Sequence, residues 1–214
     1  MIWICVTLLA LVSATVLAEK ETRQAEEPSI DQIFISNFTA AGNGCSQGAA
    51  GTTLSSDRKS LYVSFDNYQA YTGPGTSVKD RQPSCDLSVN LTHPAEFQYS
   101  ITETIFHGYA VLDSGMIGIM QAVYYFSSRL ENTTTEARVS GPIRDVFTVK
   151  KDVTASGRIW SPCGTSGPLL VRTRISLSSD KVVTGTYMFP GILEDESSVG
   201  HTWVTSLSFR KCQV

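Results

Sequence analysis

Residues 97–105 read Phe-Gln-Tyr-Ser-Ile-Thr-Glu-Thr-Ile, and this stretch decides the fold class. Its apolar side chains Phe97, Tyr99, Ile101 and Ile105 are predicted to face one way, while the polar side chains between them face the other. A period of two is typical of an antiparallel strand with one buried face, because successive side chains point to opposite sides of a sheet. The stretch therefore predicts a β-strand beside the core.

The same alternation returns later in the chain. The predicted inward-facing residues there are Leu169, Val171, Ile175, Leu177, Trp203, Leu207 and Phe209. Further apolar runs, bounded by Gly, Pro, Asn and Asp turn residues, lie at 31–38, 61–71, 109–112, 143–150 and 182–189. Residues 116–126 are apolar on both faces, so a short helix is an alternative, but their Val, Ile and Tyr content favours a central strand. About ten strands predict an all-β fold, a single antiparallel β-sandwich or flattened barrel.

The chain has five cysteines, and four of them follow an apolar leader. The leader is predicted to be a secretory signal peptide over residues 1–18, because its apolar run ends in Val16-Leu17-Ala18. That run is shorter than the ~20 residues that span a bilayer, so we expect no membrane anchor. Cys5 would leave with the leader. The sequence therefore predicts a secreted, extracellular protein, with a flexible charged arm at 19–29 and one domain at 30–214.

The four remaining cysteines predict two disulfides, because an even number in an oxidising compartment indicates bridges. Three pairings are possible. We favour Cys45 with Cys85 and Cys163 with Cys212, since sequential pairing closes each half of the chain locally. A metal site is the alternative, but no C-x-x-C pair occurs and the three histidines have no ligand spacing. We therefore expect no metal and no cofactor.

Three Asn-x-Thr sequons, at Asn37, Asn90 and Asn132, predict N-glycosylation. The middle sequon lies in a segment in which Leu87, Val89 and Leu91 alternate with polar residues. That alternation places Asn90 on the solvent face of a strand.

One string matches the nucleophile-elbow motif G-x-S-x-G: residues 44–48, Gly-Cys-Ser-Gln-Gly, around Ser46. Asp195 and His201 follow in the order of a hydrolase triad. An elbow needs a strand before the serine and a helix after it, yet residues 49–53 show no helical period. We therefore predict no catalytic residue here. Glycoside chemistry would need two facing acids, but the available aspartates are typical turn formers: Asp57, Asp66, Asp80, Asp86 and Asp113.

The formal net charge of −3 gives no basic stripe, so nucleic acid is not an expected partner. Aromatic residues with a polar end are the candidates for contacts with a ligand, although most of them are expected to lie in the core. They are Tyr62, Tyr68, Tyr71, Tyr109, Tyr124, Tyr125, Trp160 and Trp203.

Several short blocks carry a family resemblance: GNGC at 42–45 with Gly48, LSSDR at 54–58, FDNYQA at 65–70, GPG at 73–75, RQPSC at 81–85, GYA at 108–110, WSPCG at 160–164 and FRKC at 209–212. With these blocks the chain resembles a family of small secreted four-cysteine proteins, mainly of filamentous fungi, catalogued as a domain of unknown function. The resemblance implies an extracellular single domain and brings no reaction. The chain departs from the family pattern at Ser46, where proline is common, and at Phe209, where tryptophan is common.

The functional expectation is a non-catalytic extracellular protein that binds a cell-wall polysaccharide or a host protein, in the manner of an effector. The alternative is a secreted hydrolase or protease inhibitor on the same β scaffold. The sequence does not determine the oligomeric state.

Overall fold

The computed structural model of the protein describes residues 27–46, 48–73, 75–164, 167–179, 186–190 and 201–212. The signal peptide predicted at 1–18 lies outside the described residues, as does most of the arm predicted at 19–29. At the end of that arm Pro28 is buried, and Glu27 forms an ion pair with Lys59 at 2.7 Å.

The described part of the chain is built from strands, with one short α-helix and two 3-10 turns at Ile30–Gln32 and Ala155–Gly157. The elements are β1 Phe34–Ala41, β2 Ala50–Leu54, β3 Ser60–Phe65, β4 Ala70–Thr72, α1 Val78–Arg81, β5 Ser84–Thr92, β6 Phe97–Leu112, β7 Met116–Phe126, β8 Asn132–Ser140, β9 Ile143–Asp152, β10 Leu169–Ser179, β11 Thr186–Pro190 and β12 His201–Lys211.

The strands form two antiparallel sheets that face each other as a sandwich, which confirms the predicted fold class. One sheet has the order β1-β5-β10-β7-β8. The other has the order β2-β3-β12-β6-β11-β4, with β9 on the opposite edge of β6. In this second sheet β12 and β11 lie end to end along one edge of β6, and β3 and β4 lie end to end outside them. Each sheet therefore has five strand positions.

The first strand considered, residues 97–105, is part of β6, and its inward face changes partway along. Phe97, Tyr99 and Ile101 are buried as predicted. Glu103 then pairs with Ser206 while Ile101 pairs with Leu207, so Thr102 is an extra residue in a β-bulge. The bulge shifts the alternation by one, so that Thr104 and Phe106 are buried. The predicted inward orientation of Ile105 is therefore wrong, because Ile105 lies half-buried on the other face.

Residues 116–126 form β7, a strand and not a helix, between β10 and β8. Its central position explains the apolar residues on both faces. Met116, Met120, Tyr124 and Phe126 point into the core, and the intervening apolar side chains are half-buried.

The core contains one hydroxyl cluster among its apolar side chains. The Tyr124 hydroxyl lies 2.7 Å from Thr104 Oγ1 and 3.0 Å from Thr205 Oγ1, and Thr135 Oγ1 donates to Thr104 Oγ1 at 3.1 Å. All four residues are buried, and they come from β6, β7, β8 and β12. The cluster therefore links the two sheets by hydrogen bonds as well as by packing.

Two disulfides close the fold, and they join the pairs that the sequence favoured. Cys45–Cys85 links the segment after β1 to β5, with the Cα atoms 5.5 Å apart. Cys163–Cys212 links the segment before β10 to the residue after β12, with the Cα atoms 5.9 Å apart.

Candidate functional site

The G-x-S-x-G string does not form a nucleophile elbow. Ser46 is exposed and follows the bridged Cys45, and its carbonyl accepts a hydrogen bond from Ala49 N at 3.0 Å in a turn that enters β2. The serine therefore does not begin a helix, which an elbow requires. His201 begins β12 opposite Phe65, and Asp195 lies outside the described residues.

The aspartates named above occupy structural positions. Asp57 accepts hydrogen bonds from Ser55 Oγ and Lys59 N in the β2–β3 turn, and the Ser55 bond is the main cause of the lowered pKa of Asp57. Asp80 completes the capping box of α1 with Ser77, and the hydrogen bond from Ser77 N lowers its pKa. Asp86 pairs with Arg172 at 2.7 Å across β5 and β10. Asp66 and Asp113 are exposed beside strand ends. The pKa shifts of Asp57 and Asp80 are downward, opposite to the raised pKa of a general acid.

Within the described ranges, no group of three or more His, Cys, Asp or Glu side chains is placed to hold a metal ion. The same part of the chain has no helix that is long and apolar enough to cross a membrane.

Most of the aromatic residues considered for ligand contacts belong to the core or border it. Tyr68 and Trp203 pack with Phe65 and Phe106, with ring centroids 4.8–5.9 Å apart. The Tyr124 hydroxyl belongs to the buried hydroxyl cluster. Trp160 differs, because it is half-buried and one face of its indole is covered by a cation, the guanidinium of Arg210, 3.7 Å from the ring centroid.

Trp160 lies in a cleft of about 320 Å³ that we call the Trp160 cleft. Its polar lining comes from four separate parts of the chain: the start of β6, the β7–β8 loop, the segment after β9 and the end of β12. The residues are Gln98, Arg129, Glu131, Arg158, Trp160 and Arg210.

Hydrogen bonds to β6 position the Trp160 segment. Trp160 forms a β-bridge with Ser100, Ser161 N donates to Tyr99 O at 2.8 Å, and Tyr99 N donates to Ser161 Oγ at 2.9 Å. The Cys163–Cys212 bridge then ties the segment to the end of β12. Trp160 is therefore held by the bridge at its own position and by the hydrogen bonds and the disulfide of the three residues that follow it.

Gln98 and Arg210 line the cleft next to each other. They are register partners in the β6–β12 ladder. With its amide oriented to satisfy both neighbours, Gln98 Oε1 accepts hydrogen bonds from Arg210 Nε and Nη2 at 3.0 and 3.2 Å, and Nε2 donates to Ser161 O at 3.1 Å. These bonds hold the guanidinium plane against the indole, an arrangement that combines stacking and cation–π attraction.

The cleft is more positive than the protein as a whole. It contains the guanidinium groups of Arg129, Arg158 and Arg210 and only the Glu131 carboxylate against them, whereas the chain has a formal net charge of −3. Arg158 Nε is buried and has no hydrogen-bond partner in the described structure. Several guanidinium forks around one concave site suit the planar, bidentate recognition of a carboxylate.

A family model described as "Domain of unknown function (DUF4360)" matches residues 31–212. The chain belongs to this family. The resemblance found in the sequence is thereby confirmed, and two of its blocks, at 160–164 and 209–212, meet at the Trp160 cleft.

A curated relative, an "Uncharacterized secreted protein" of Arthroderma benhamiae (strain ATCC MYA-4681 / CBS 112371), is 34% identical over 152 residues. The matched part covers 71% of this chain and 62% of the relative. The chain therefore spans less than two thirds of the length of that fungal protein. The predicted localisation is thereby confirmed: this DUF4360 protein is secreted.

Sequence reasoning named Trp160 among the aromatic candidates but did not assemble the cleft. From the alternation alone, Gln98 and Arg210 are ordinary polar residues on the outward sides of the strands that become β6 and β12. Gln98 lies in no motif, and the block at 209–212 does not say where the Arg210 guanidinium lies, since what joins the two residues is the register between β6 and β12. The blocks at 160–164 and 209–212 are the sequence signals that point to this place.

Proposed function

We propose that this DUF4360 protein is a non-catalytic extracellular binding protein, and that its Trp160 cleft binds the carboxylate groups of an acidic wall polysaccharide. The observation that carries the proposal is the convergence of Arg129, Arg158 and Arg210 beside one ordered indole.

The charge step rests on Arg158. Buried polar groups in proteins nearly always have hydrogen-bond partners, and leaving one unpaired costs about 1–3 kcal/mol. Arg158 Nε is buried without a partner in the described residues. Arg158 as a residue is half-buried and lines the cleft with Arg129 and Arg210, so a carboxylate in the cleft would lie among guanidinium groups from three separate segments. The ligand group favoured here is therefore an anion with two acceptor oxygens.

The shape step favours a sugar unit over a folded domain. The cleft volume of about 320 Å³ lies at the lower end of the range of ligand pockets, about 300–1,000 Å³. Trp160 and the stacked Arg210 offer a flat, partly apolar wall, and Gln98 and Glu131 offer oxygen and nitrogen atoms for hydroxyl groups. A hexuronic acid unit supplies a flat ring, hydroxyl groups and one carboxylate together.

The reaction step concerns the carboxylates. Asp57, Asp80 and Asp86 already have structural partners, and Glu131 is the one acidic residue among the cleft residues. Glycoside hydrolysis in most families requires a pair of acids across the scissile bond. Binding without cleavage is therefore the activity that this cleft supports best.

A protein partner is the second candidate, and one residue favours it. Leu130, in the β7–β8 loop between Arg129 and Glu131, has 101% relative exposure. A fully exposed leucine next to Arg129, in the loop that borders the cleft, would suit a partner that presents an apolar pocket next to acidic side chains. This is the effector-like role, and the same loop would serve it.

The test uses protein secreted from a eukaryotic host with its disulfides formed. Binding to polygalacturonate is compared with binding to the same polymer after chemical reduction of its carboxyl groups, and with binding to a neutral β-glucan. We expect binding to the carboxylated polymer alone, weakening with salt because the contact is ionic. Equal binding to the reduced polymer would refute the carboxylate assignment.

Variants then locate the site. Arg158→Gln should weaken binding about tenfold or more, since a charge-assisted hydrogen bond contributes about 1.5–3 kcal/mol. Arg144→Gln, on exposed β9, removes the same charge elsewhere and is the matched control. Leu130→Ser should leave polysaccharide binding unchanged. An increase in reducing ends during incubation would instead support the hydrolase alternative.

A further inference from the structure

All three sequons of the chain fall on the sheet β1-β5-β10-β7-β8, although they are far apart in sequence. Asn37 is on β1, Asn90 on β5 and Asn132 on β8. In the strand order β1-β5-β10-β7-β8, the first and last strands are the edges. Two sequons therefore lie on the two edge strands of the same sheet.

The three asparagines also share one face. On β5 the buried residues are Leu87, Val89 and Leu91, and on β8 they are Thr133, Thr135, Ala137 and Val139. On β1, Phe38 and Ala40 pack against the core. Asn37, Asn90 and Asn132 occupy the alternate positions, so they lie on the outer face of the sheet, with Asn37 and Asn132 exposed.

We propose that Asn37 and Asn132 carry N-linked oligosaccharides, and that these oligosaccharides keep the two edge strands of this sheet, β1 and β8, from pairing with other chains. In the modification, Asn Nδ2 forms a bond to the anomeric carbon of an oligosaccharide linked to a lipid diphosphate. The carbon–oxygen bond to the diphosphate breaks, and the amide proton leaves as the lipid diphosphate is released. The Thr two residues on, Thr39 or Thr134, completes each acceptor site.

Edge strands are the part of a sheet that an oligosaccharide can protect from pairing with another chain. An edge strand exposes unpaired N–H and C=O groups, and proteins protect such strands with charged residues, proline, bulges or covering groups. β1 has a bulge at Ser36, but its eight residues include no charged residue and no proline. Phe34, at its start, has 48% relative exposure. β1 is thus an apolar edge in need of cover, and Asn37 lies near its middle.

β8, the edge strand on the opposite side of the sheet, is also poorly protected over part of its length. Its first four residues, Asn132 to Thr135, are uncharged, and its two charged residues, Glu136 and Arg138, pair with each other at 2.8 Å. An oligosaccharide at Asn132 would cover the end of β8 that these charges do not reach.

Asn90 differs from the other two asparagines. Its side chain is half-buried, its Oδ1 is buried without a hydrogen-bond partner in the described residues, and it is the register partner of Asn37. Directly opposed residues of an antiparallel pair have Cβ atoms about 4.5–5.5 Å apart. A second oligosaccharide at Asn90 would crowd the one at Asn37, so the proposal assigns none to Asn90.

Occupancy is measured on the full chain secreted from a eukaryotic host. Enzymatic release of N-glycans in ¹⁸O-water converts each occupied asparagine to labelled aspartate, which peptide mass spectrometry locates. Label at Asn37 and Asn132 with Asn90 unmodified is the expected result. An unmodified Asn37 or Asn132, or a modified Asn90, overturns the assignment.

The role at the edges is tested by self-association. The double variant Thr39→Val and Thr134→Val destroys both sequons while keeping β-branched side chains, and Thr39→Ser with Thr134→Ser keeps both sequons as the matched control. At high protein concentration, light scattering should show at least a doubling of mean mass for the valine variant and no change for the serine variant. Equal masses in both would refute the role.

The native protein treated with an endoglycosidase covers the case in which the valine variant fails to fold, and its mean mass should double as well. Because Asn132 follows Glu131 of the Trp160 cleft, ligand binding is not used as a readout. Occupancy and mass are therefore independent of the proposed polysaccharide function.

Discussion

Tyr124→Phe removes the hydroxyl that joins the two sheets through the buried cluster. In the folded protein this oxygen lies 2.7 Å from Thr104 Oγ1 and 3.0 Å from Thr205 Oγ1. A net hydrogen bond contributes about 1 ± 0.5 kcal/mol, and a buried hydroxyl left unpaired costs about 1–3 kcal/mol. Thr104 keeps its bond from Thr135, but no other bond to the Thr205 hydroxyl is present in the described residues. We expect the free energy of unfolding to fall by about 2–3 kcal/mol.

Tyr99→Phe is the matched control that the chain offers. Tyr99 is as buried as Tyr124, with 1% and 2% relative exposure, but its hydroxyl has no hydrogen-bond partner in the described part of the structure. Removing a buried hydroxyl without a partner takes away a desolvation cost and breaks no bond. Tyr99→Phe should therefore leave the free energy of unfolding unchanged or raise it.

Urea denaturation of the secreted, oxidised proteins, followed by tryptophan fluorescence, measures both values at neutral pH. Thermal denaturation should show a Tm about 4–12 °C lower for Tyr124→Phe, since about 2–4 °C corresponds to 1 kcal/mol in a chain of this size. A loss of stability in Tyr99→Phe equal to that in Tyr124→Phe would refute the reasoning, because the effect would then come from ring packing and not from the hydrogen bonds.

Three further predictions concern pH, the disulfides and one glycine. Burial raises the pKa of Tyr68, Tyr99 and Tyr124 above the ordinary value of 10.0. The folded state therefore binds these phenol protons more tightly than the unfolded state does. The resulting contribution to the free energy of unfolding is complete below about pH 10 and is lost as the pH rises above it. The urea concentration at the midpoint of unfolding, measured below and above about pH 10, should fall at the higher pH, and it should fall less in Tyr99→Phe. A midpoint that does not change with pH would contradict the raised pKa values. Replacing Cys163 and Cys212 by alanine should cost up to about 4 kcal/mol, from the loop-closure model, and weaken binding to polygalacturonate, because the bridge positions Trp160. Replacing Cys45 and Cys85 should lower stability to a similar extent but leave binding intact, and calorimetry with titration of the polymer separates the two effects. A Cβ at Gly141 would overlap the carbonyl oxygen of Asp113, so Gly141→Ala should destabilise by about 1–3 kcal/mol. Gly167→Ala, whose Cβ would meet Ser127 Oγ at an ordinary 3.5 Å, should be near neutral in the same denaturation assay.

The strands themselves were largely predictable, because each follows from side-chain periodicity within a few residues. β10 and β12 have the inward residues that alternation indicates, and β7 is a strand as its β-branched and aromatic residues suggest. Ile105 was misplaced because the bulge at Thr102 is a property of the β6–β12 pair. The side-chain pattern of residues 97–105 cannot show at which residue the pairing with β12 shifts by one, because that shift depends on both strands.

The candidate site was predictable only in part. Trp160 stood out as an aromatic residue in a recognisable block, and its neighbour Cys163 as half of a bridge. Gln98 and Arg158 carry no signal of their own, because each is an ordinary polar residue in its local segment, and the block that contains Arg210 does not show that its guanidinium stacks on Trp160. Their chemistry depends on the contacts among β6, the Trp160 segment and β12, which lie far apart in the chain.

Leader hydropathy, cysteine parity and a period of two are local properties, and they were enough to predict the compartment, the four-cysteine frame and the β class of this protein. Tertiary structure decided which guanidinium groups share a cleft with Trp160 and which sequons lie on edge strands. The physical reason is that strand order and register bring distant residues side by side, and these depend on the packing of two whole sheets.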